Sequence, residues 1–98
     1  MNEYFVYILT NFSKTVLYTG VTNDLRRRLF EHKEGVNKKS FTTKYNCYYL
    51  IYWEKFNFVE QAIDREKQIK GMSRNKKELL INEFNSEWKF FKMRKLNK

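Results

Sequence analysis

The 98-residue sequence has no proline, three glycines, one histidine and one cysteine. With Cys47 alone, a disulfide framework and a cysteine-rich zinc site are both excluded. No run approaches the roughly 18 apolar residues that a membrane span needs, so no membrane partner is expected. Met1-Asn2-Glu3-Tyr4 lacks the basic, apolar and small-residue order of a secretion signal. The expectation from these absences is a small, reduced, cytoplasmic protein. No Pro/Gly/Ser linker, internal repeat or low-complexity tract marks a second domain, and a chain this short supports one modest core.

Aromatic residues and positive charge are what the sequence has in quantity. Hydrophobic residues make up 42% and aromatics 18%, enough for a folded core. Lys and Arg number 20 against 11 Asp and Glu, a net charge of +9. That excess suits a polyanionic partner such as nucleic acid, although 14 of the cations are Lys, which base composition alone can produce. The charge is uneven: residues 1–64 hold 9 basic and 7 acidic side chains, and residues 65–98 hold 11 and 4. Lys89 to Lys98 contains five cations and no acid, interrupted by Phe90, Phe91, Met93 and Leu96. The expected division is a domain over 1–88 and a basic C-terminal tail over 89–98. That tail either follows a phosphate backbone or ends in solvent with its aromatics capping the core.

Tyr4 to Thr10 and Thr15 to Val21 are β-branched and aromatic runs separated by Asn11-Phe12-Ser13-Lys14, which predicts a β-hairpin with a four-residue loop. In that register Tyr7 faces Tyr18 from the same side of the sheet, and Gly20 marks a close backbone approach or irregular turn. Asn23 or Asp24 caps a helix to about Lys33, stopped by Gly35. Residues 36–47 read as a loop, Tyr48 to Lys55 as a third strand, and Phe58 to Lys70 as a helix closing at Gly71. Ser73 caps a last helix to about Phe84. The order β-β-α-β-α-α predicts a small α/β domain with an antiparallel sheet flanked by helices.

Two helices carry polar residues against their apolar stripes. Arg28 and His32 stack one turn apart beside Leu25 and Leu29, while Arg26, Arg27 and Glu31 point elsewhere. Glu66 falls in the arc of Val59, Ala62 and Ile63, where a carboxylate costs several kcal/mol unless it is paired, hydrogen-bonded or metal-bound. An ion pair of Glu66 with Arg28 or Arg65, or escape to the sheet edge, is the plain structural alternative. There is no Ser/His/Asp set and no phosphate-cradling Gly-rich loop. Two tyrosines, an Arg–His pair and an inward Glu suit metal-assisted attack of water on a phosphodiester. Each also has a dull explanation, since strand tyrosines are usually core aromatics and a lone His is usually structural.

Phe5-Val6-Tyr7 and Tyr18-Thr19-Gly20 resemble the two signature tripeptides of the GIY-YIG nuclease domain. Asn23-Asp24-Leu25-Arg26-Arg27-Arg28-Leu29 with His32 resembles the helix that follows them, and Ala62-Ile63-Asp64-Arg65-Glu66-Lys67 its metal-helix segment. Lys70-Gly71-Met72-Ser73-Arg74 and Asn85-Ser86-Glu87-Trp88 are similar to the small stand-alone bacterial members, so the likeness covers about residues 3–88. It implies a three-stranded antiparallel sheet flanked by helices that cuts DNA with one divalent ion, Mg²⁺ or Mn²⁺, and no organic cofactor. By the same resemblance Tyr7 and Tyr18 match the signature tyrosines, one of them activating water. Arg28 matches the phosphate-contacting arginine, His32 a His-or-Tyr position, and Glu66 the metal-binding glutamate. Asn85, and Arg65 beside Glu66, are supporting candidates. Phe5 replaces Gly, Thr19 replaces Ile, and Val21 stands where some repair relatives carry lysine.

The expected activity is a structure-selective or weakly sequence-specific DNA endonuclease of repair or processing, with RNA as an open second substrate. A stand-alone catalytic module finds substrate with its own surface. Arg26, Arg27, Lys38, Lys39, Lys44, Arg74, Lys76 and Lys77 are the candidate phosphate contacts. The alternatives are a non-catalytic nucleic-acid-binding module of the same fold, or a small protein whose basic face meets ribosomal RNA or a protein. A monomer or weak dimer is expected.

Overall fold

The computed structural model describes residues 2–35 and 38–92. Its first hairpin differs in register from the expected one. Strands β1 (Tyr4–Thr10) and β2 (Leu17–Thr22) are antiparallel, but Tyr7 lies opposite Gly20 and Leu9 opposite Tyr18. The cause is Asn11. Its Oδ1 accepts from the backbone N–H of Thr15 (2.9 Å) and of Val16 (3.0 Å), and Thr10 Oγ1 donates to the Val16 carbonyl (2.7 Å). These bonds hold residues 15 and 16 out of the ladder, so the connection spans residues 11–16 rather than four positions. A shift of two residues preserves side-chain parity. Tyr7 and Tyr18 therefore still share a face, diagonally placed with ring centroids 6.4 Å apart.

Strand β3 (Tyr49–Phe56) pairs with the other side of β1, giving the order β2-β1-β3, with an irregularity between Ile8 and Leu9. Central β1 is thus covered on both faces and β2 is an edge. Helix α1 (Leu25–Glu34) begins where the Asp24 carboxylate accepts from Arg27 N and ends at Gly35, whose φ of 65° is the left-handed turn that glycine adopts freely. The segment expected to be loop contains one helical turn, α2 (Phe41–Lys44), started by the Ser40 hydroxyl accepting from Thr43 N. Four residues are too few for a periodic apolar signal, which is why the pattern missed it. Helix α3 (Val59–Lys70) follows β3 directly, and α4 (Arg74–Phe84) starts at the Ser73 cap.

Alternation along β1 divides the core in two. Val6 and Ile8 pack with Ile51, Tyr52, Ala62, Ile69 and Ile81 under α3 and α4. Tyr7 and Leu9 pack with Leu25, Leu29, Cys47 and Leu50 under α1. Phe90 and Phe91, placed in the tail by sequence, lie against these cores, and Phe91 N donates to the Leu50 carbonyl (2.8 Å). The remainder of the basic tail, residues 93–98, lies outside the described residues.

Candidate active site

Tyr7 is buried in the middle of β1, and its ring crosses toward the β2 edge over Gly20. A Cβ at Gly20 would run into Tyr7 Oη and Cζ and come within 3.1 Å of Tyr18 Cε2. Glycine is therefore required here by space. Gly20→Ala is expected to destabilise the domain by about 1–3 kcal/mol in chemical denaturation, because neither the strand nor a packed tyrosine can give way cheaply. An alanine variant of unchanged stability would show that the ring is free to move.

Tyr7 Oη lies 3.0 Å from His32 Nε2, and His32 Nδ1 lies 2.7 Å from Thr42 Oγ1. Donor bookkeeping fixes the direction of this chain. Ser40 donates to Thr43 Oγ1 (3.1 Å), so across its 3.1 Å contact with Thr42 it must accept. Thr42 has then spent its proton and accepts from His32 Nδ1–H. Nε2 is left with the lone pair, and Tyr7 donates to it. Thr42 is buried and its oxygen is fully engaged. Sequence reading missed both Ser40 and Thr42; the one available signal was Ser40 as a helix cap in a stretch read as loop.

Burial, aided by the Arg28 charge and partly offset by Glu31, pushes His32 down to about 4, so the imidazole is neutral at pH 7. The unfolded chain binds a proton on this group between pH 6.5 and about 4 that the folded chain refuses. Stability therefore falls as pH drops through that window, by on the order of 3 kcal/mol. Melting temperatures at pH 7, 5.5 and 4.5 are expected to fall less steeply for His32→Gln than for wild type. Equal slopes would assign the acid sensitivity elsewhere.

Tyr7 is pushed up to about 12, chiefly by burial, with Arg28 opposing and the charges of Tyr18 and Glu66 adding to the rise. The charges of Arg28 and, more weakly, Glu66 thus bear on Tyr7 from elements on opposite faces of the sheet: α1 covers the Tyr7 face, while Ala62 and Ile69, which flank Glu66 on α3, pack on the other. Arg28 keeps its charge more firmly than an ordinary guanidinium through the Tyr7 hydroxyl first and Glu31 (3.1 Å) second, and its side chain is 42% exposed. Glu66 is only 13% exposed and pairs with Lys70 Nζ at 2.5 Å.

The expected alternative partners of Glu66 are committed elsewhere. Arg65 grips Glu54 with Nε and Nη2, each at 3.0 Å from a carboxylate oxygen, and fastens α3 to β3. Arg28 takes Glu31. Asn85, expected beside a metal, instead gives its amide to the Ile51 carbonyl (3.0 Å) and the Lys89 carbonyl (2.8 Å) and accepts from Lys89 N, so it pins the turn after α4. Among the phosphate-contact candidates, Arg26, Arg27, Lys38, Lys39 and Lys44 are exposed on or beside α1 and α2. Lys76 and Lys77 belong to α4, which packs on the opposite face. Arg74 is used structurally: it holds Glu78 (2.8 Å) and the carbonyls of Thr15 (2.9 Å) and Lys14 (3.3 Å), tying α4 to the first hairpin.

The profile of the GIY-YIG catalytic domain matches residues 3–79. The chain belongs to the GIY-YIG family. This places it among nucleases, and its signature segments Phe5–Tyr7 and Tyr18–Gly20 are the adjoining stretches of β1 and β2 described above. The GIY-YIG chain is 38% identical over 79 residues to a UPF0213 protein of Natronomonas pharaonis, covering 81% of this chain and 91% of the relative. It is 35% identical over 83 residues to one of Staphylococcus saprophyticus, covering 85% and 99%. The solution NMR structure of a UPF0213 protein from Bacillus halodurans superposes with a TM-score of 0.58 at 30% identity, over 88% of this chain and 89% of that one. The three-stranded antiparallel GIY-YIG fold is thus shared with a solved relative.

GIY-YIG nucleases typically use a divalent metal. No group of three or more His, Cys, Asp or Glu able to hold an ion occurs among the described residues. Glu66 is a shielded carboxylate at the site, and one such ligand with waters and substrate oxygens fits a hard ion such as Mg²⁺ or Mn²⁺. Lys70 occupies one of its oxygens, so an ion must share or displace that ammonium. In this GIY-YIG domain no helix is long and apolar enough to cross a membrane, among the described residues.

Proposed function

We propose that the protein is a metal-dependent endonuclease that hydrolyses DNA phosphodiesters, structure-selective or weakly sequence-specific, in DNA repair or processing. The observation that carries this is Tyr7: its hydroxyl is hydrogen-bonded to a neutral histidine and feels both Arg28 and Glu66. A core tyrosine needs a hydrogen-bond partner, but it does not need an arginine beside its hydroxyl and a shielded carboxylate whose charge bears on it as well.

In the proposed mechanism Arg28 holds the phosphate, with donors left over because its head is part-exposed while Tyr7 and Glu31 engage it. Tyr18, in contact with both Tyr7 and the His32 ring, orients the attacking water. Tyr7 takes a proton from that water as its own proton passes to His32 Nε2. Thr42 keeps His32 in the tautomer that can receive it. Glu66 is the residue that would hold Mg²⁺ or Mn²⁺, which when bound neutralises developing charge on the phosphate and leaving oxygen. The exposed cations of α1 and α2 supply an attraction to DNA that weakens with salt.

The test offers end-labelled duplex, single-stranded, flapped and branched DNA, and an RNA duplex, with Mg²⁺ or Mn²⁺ and with EDTA. Metal-dependent cutting of at least one DNA is expected. Binding without cleavage of any of them would leave the non-catalytic binding module as the function.

A further inference from the structure

Two part-exposed aromatic rings lie beside the site, packed on Tyr18 and on each other. Phe41 is 45% exposed and Tyr45 is 41% exposed, at the start and just past the end of α2, whose one buried residue is Thr42. The ring of Phe41 stacks on Tyr18 with centroids 5.9 Å apart and planes 27° from parallel. Tyr45 lies 4.6 Å beyond Phe41, and Lys44 Nζ sits over the Tyr45 ring at 5.5 Å. Since Tyr18 also touches His32 at 5.6 Å, one aromatic row runs from the buried histidine out to the surface.

The chemistry of this row selects its occupant. A short, half-exposed row of rings suits a flat, π-faced ligand better than a protein partner, which would want a wider apolar patch. Lys44, over the Tyr45 ring, adds a cation that a phosphate chain needs, and Lys38, exposed three residues before Phe41 in sequence, adds another, so a nucleotide fits where a neutral aromatic does not. The row begins at Tyr18, so a base stacked on Phe41 belongs to a nucleotide next to the phosphate at Tyr7 and Arg28. Bases inside a duplex cannot present a face this way. We propose that Phe41 and Tyr45 form a stacking platform for an unpaired nucleobase adjoining the scissile phosphate, which directs the enzyme to DNA with a displaced, bulged or flapped nucleotide. This rests on the nuclease reading of the site.

The experiment places 2-aminopurine at the single unpaired position of a bulged duplex and measures emission and binding in EDTA, where nothing is cut. Wild type is expected to quench the base and to bind the bulged duplex about tenfold tighter than the paired one, the scale of one base–aromatic stack. Phe41→Leu and Tyr45→Leu keep apolar bulk without a ring face, and each is expected to narrow that preference to about twofold. Phe41→Trp is expected to keep it. A wild type without preference or quenching, or a Phe41→Leu variant of unchanged melting temperature that retains both, overturns the platform. Cleavage of paired and bulged DNA in Mg²⁺ is run in parallel to separate the two ideas. Cutting without base preference removes the platform and leaves the nuclease. Quenching lost in Phe41→Leu, with no cutting of any substrate by wild type, removes the nuclease and leaves a base-binding surface.

Discussion

Tyr7→Phe is expected to lower the single-turnover rate of DNA cleavage about 10³-fold while changing DNA affinity little. The substitution removes one oxygen and leaves the ring contacts with Tyr18 (6.4 Å) and His32 (5.9 Å) in place. Tyr7 is pushed up to about 12 and His32 down to about 4, so a free phenolate–imidazolium pair is out of reach in the resting site. In the proposed mechanism the transfers from water to Tyr7 and from Tyr7 to His32 therefore go together, with no free ion pair between them. Phosphate contact alone cannot replace these transfers, which is why the loss falls on the rate. The missing hydroxyl also leaves His32 Nε2 unpartnered, at a cost of about 1–3 kcal/mol in stability. Rates and urea midpoints measured together separate the two effects. A folded Tyr7→Phe variant that cuts at the wild-type rate would remove Tyr7 from the chemistry.

Glu66→Gln is expected to reduce cleavage by about 10²–10³-fold at saturating Mg²⁺, the scale on which losing a metal's charge stabilisation acts. Glutamine keeps the shape and removes the charge. The pair with Lys70 is half exposed on the lysine side, so breaking it shifts stability by about 1 kcal/mol or less. The melting temperature should thus stay near wild type while activity collapses, a split that a purely structural carboxylate would not give. Retained cleavage in a folded Glu66→Gln variant would show that Glu66 serves only Lys70.

Much of this was legible because the relevant rules are local. Asp24, Gly35, Ser73 and Gly71 bounded three helices correctly, and alternation along β1 put Tyr7 and Tyr18 on one face. The hairpin register was not legible, since it depends on Asn11 holding residues 15 and 16 through its side chain. Helical periodicity placed Arg28, His32 and Glu66 against apolar stripes but could not name their partners. Lys70 rather than an arginine pairs with Glu66, and Arg65 and Arg74 are spent on Glu54 and on the first hairpin. Partner choice among several nearby charges is a tertiary outcome, decided by which helix face meets which strand. Thr42 was invisible for the same reason: only the folded chain brings α2 against α1.

In the proposed site, Tyr7 and Glu66 act together although they belong to opposite faces of the sheet. A double-mutant cycle of single-turnover cleavage tests it most directly, with wild type, Tyr7→Phe, Glu66→Gln and the double variant on one branched DNA in Mg²⁺. Residues that work as a unit are strongly non-additive, so the double variant is predicted to be no slower than the slower single within about tenfold. Losses that multiply, or a wild type that binds the DNA and cuts nothing, would contradict the account.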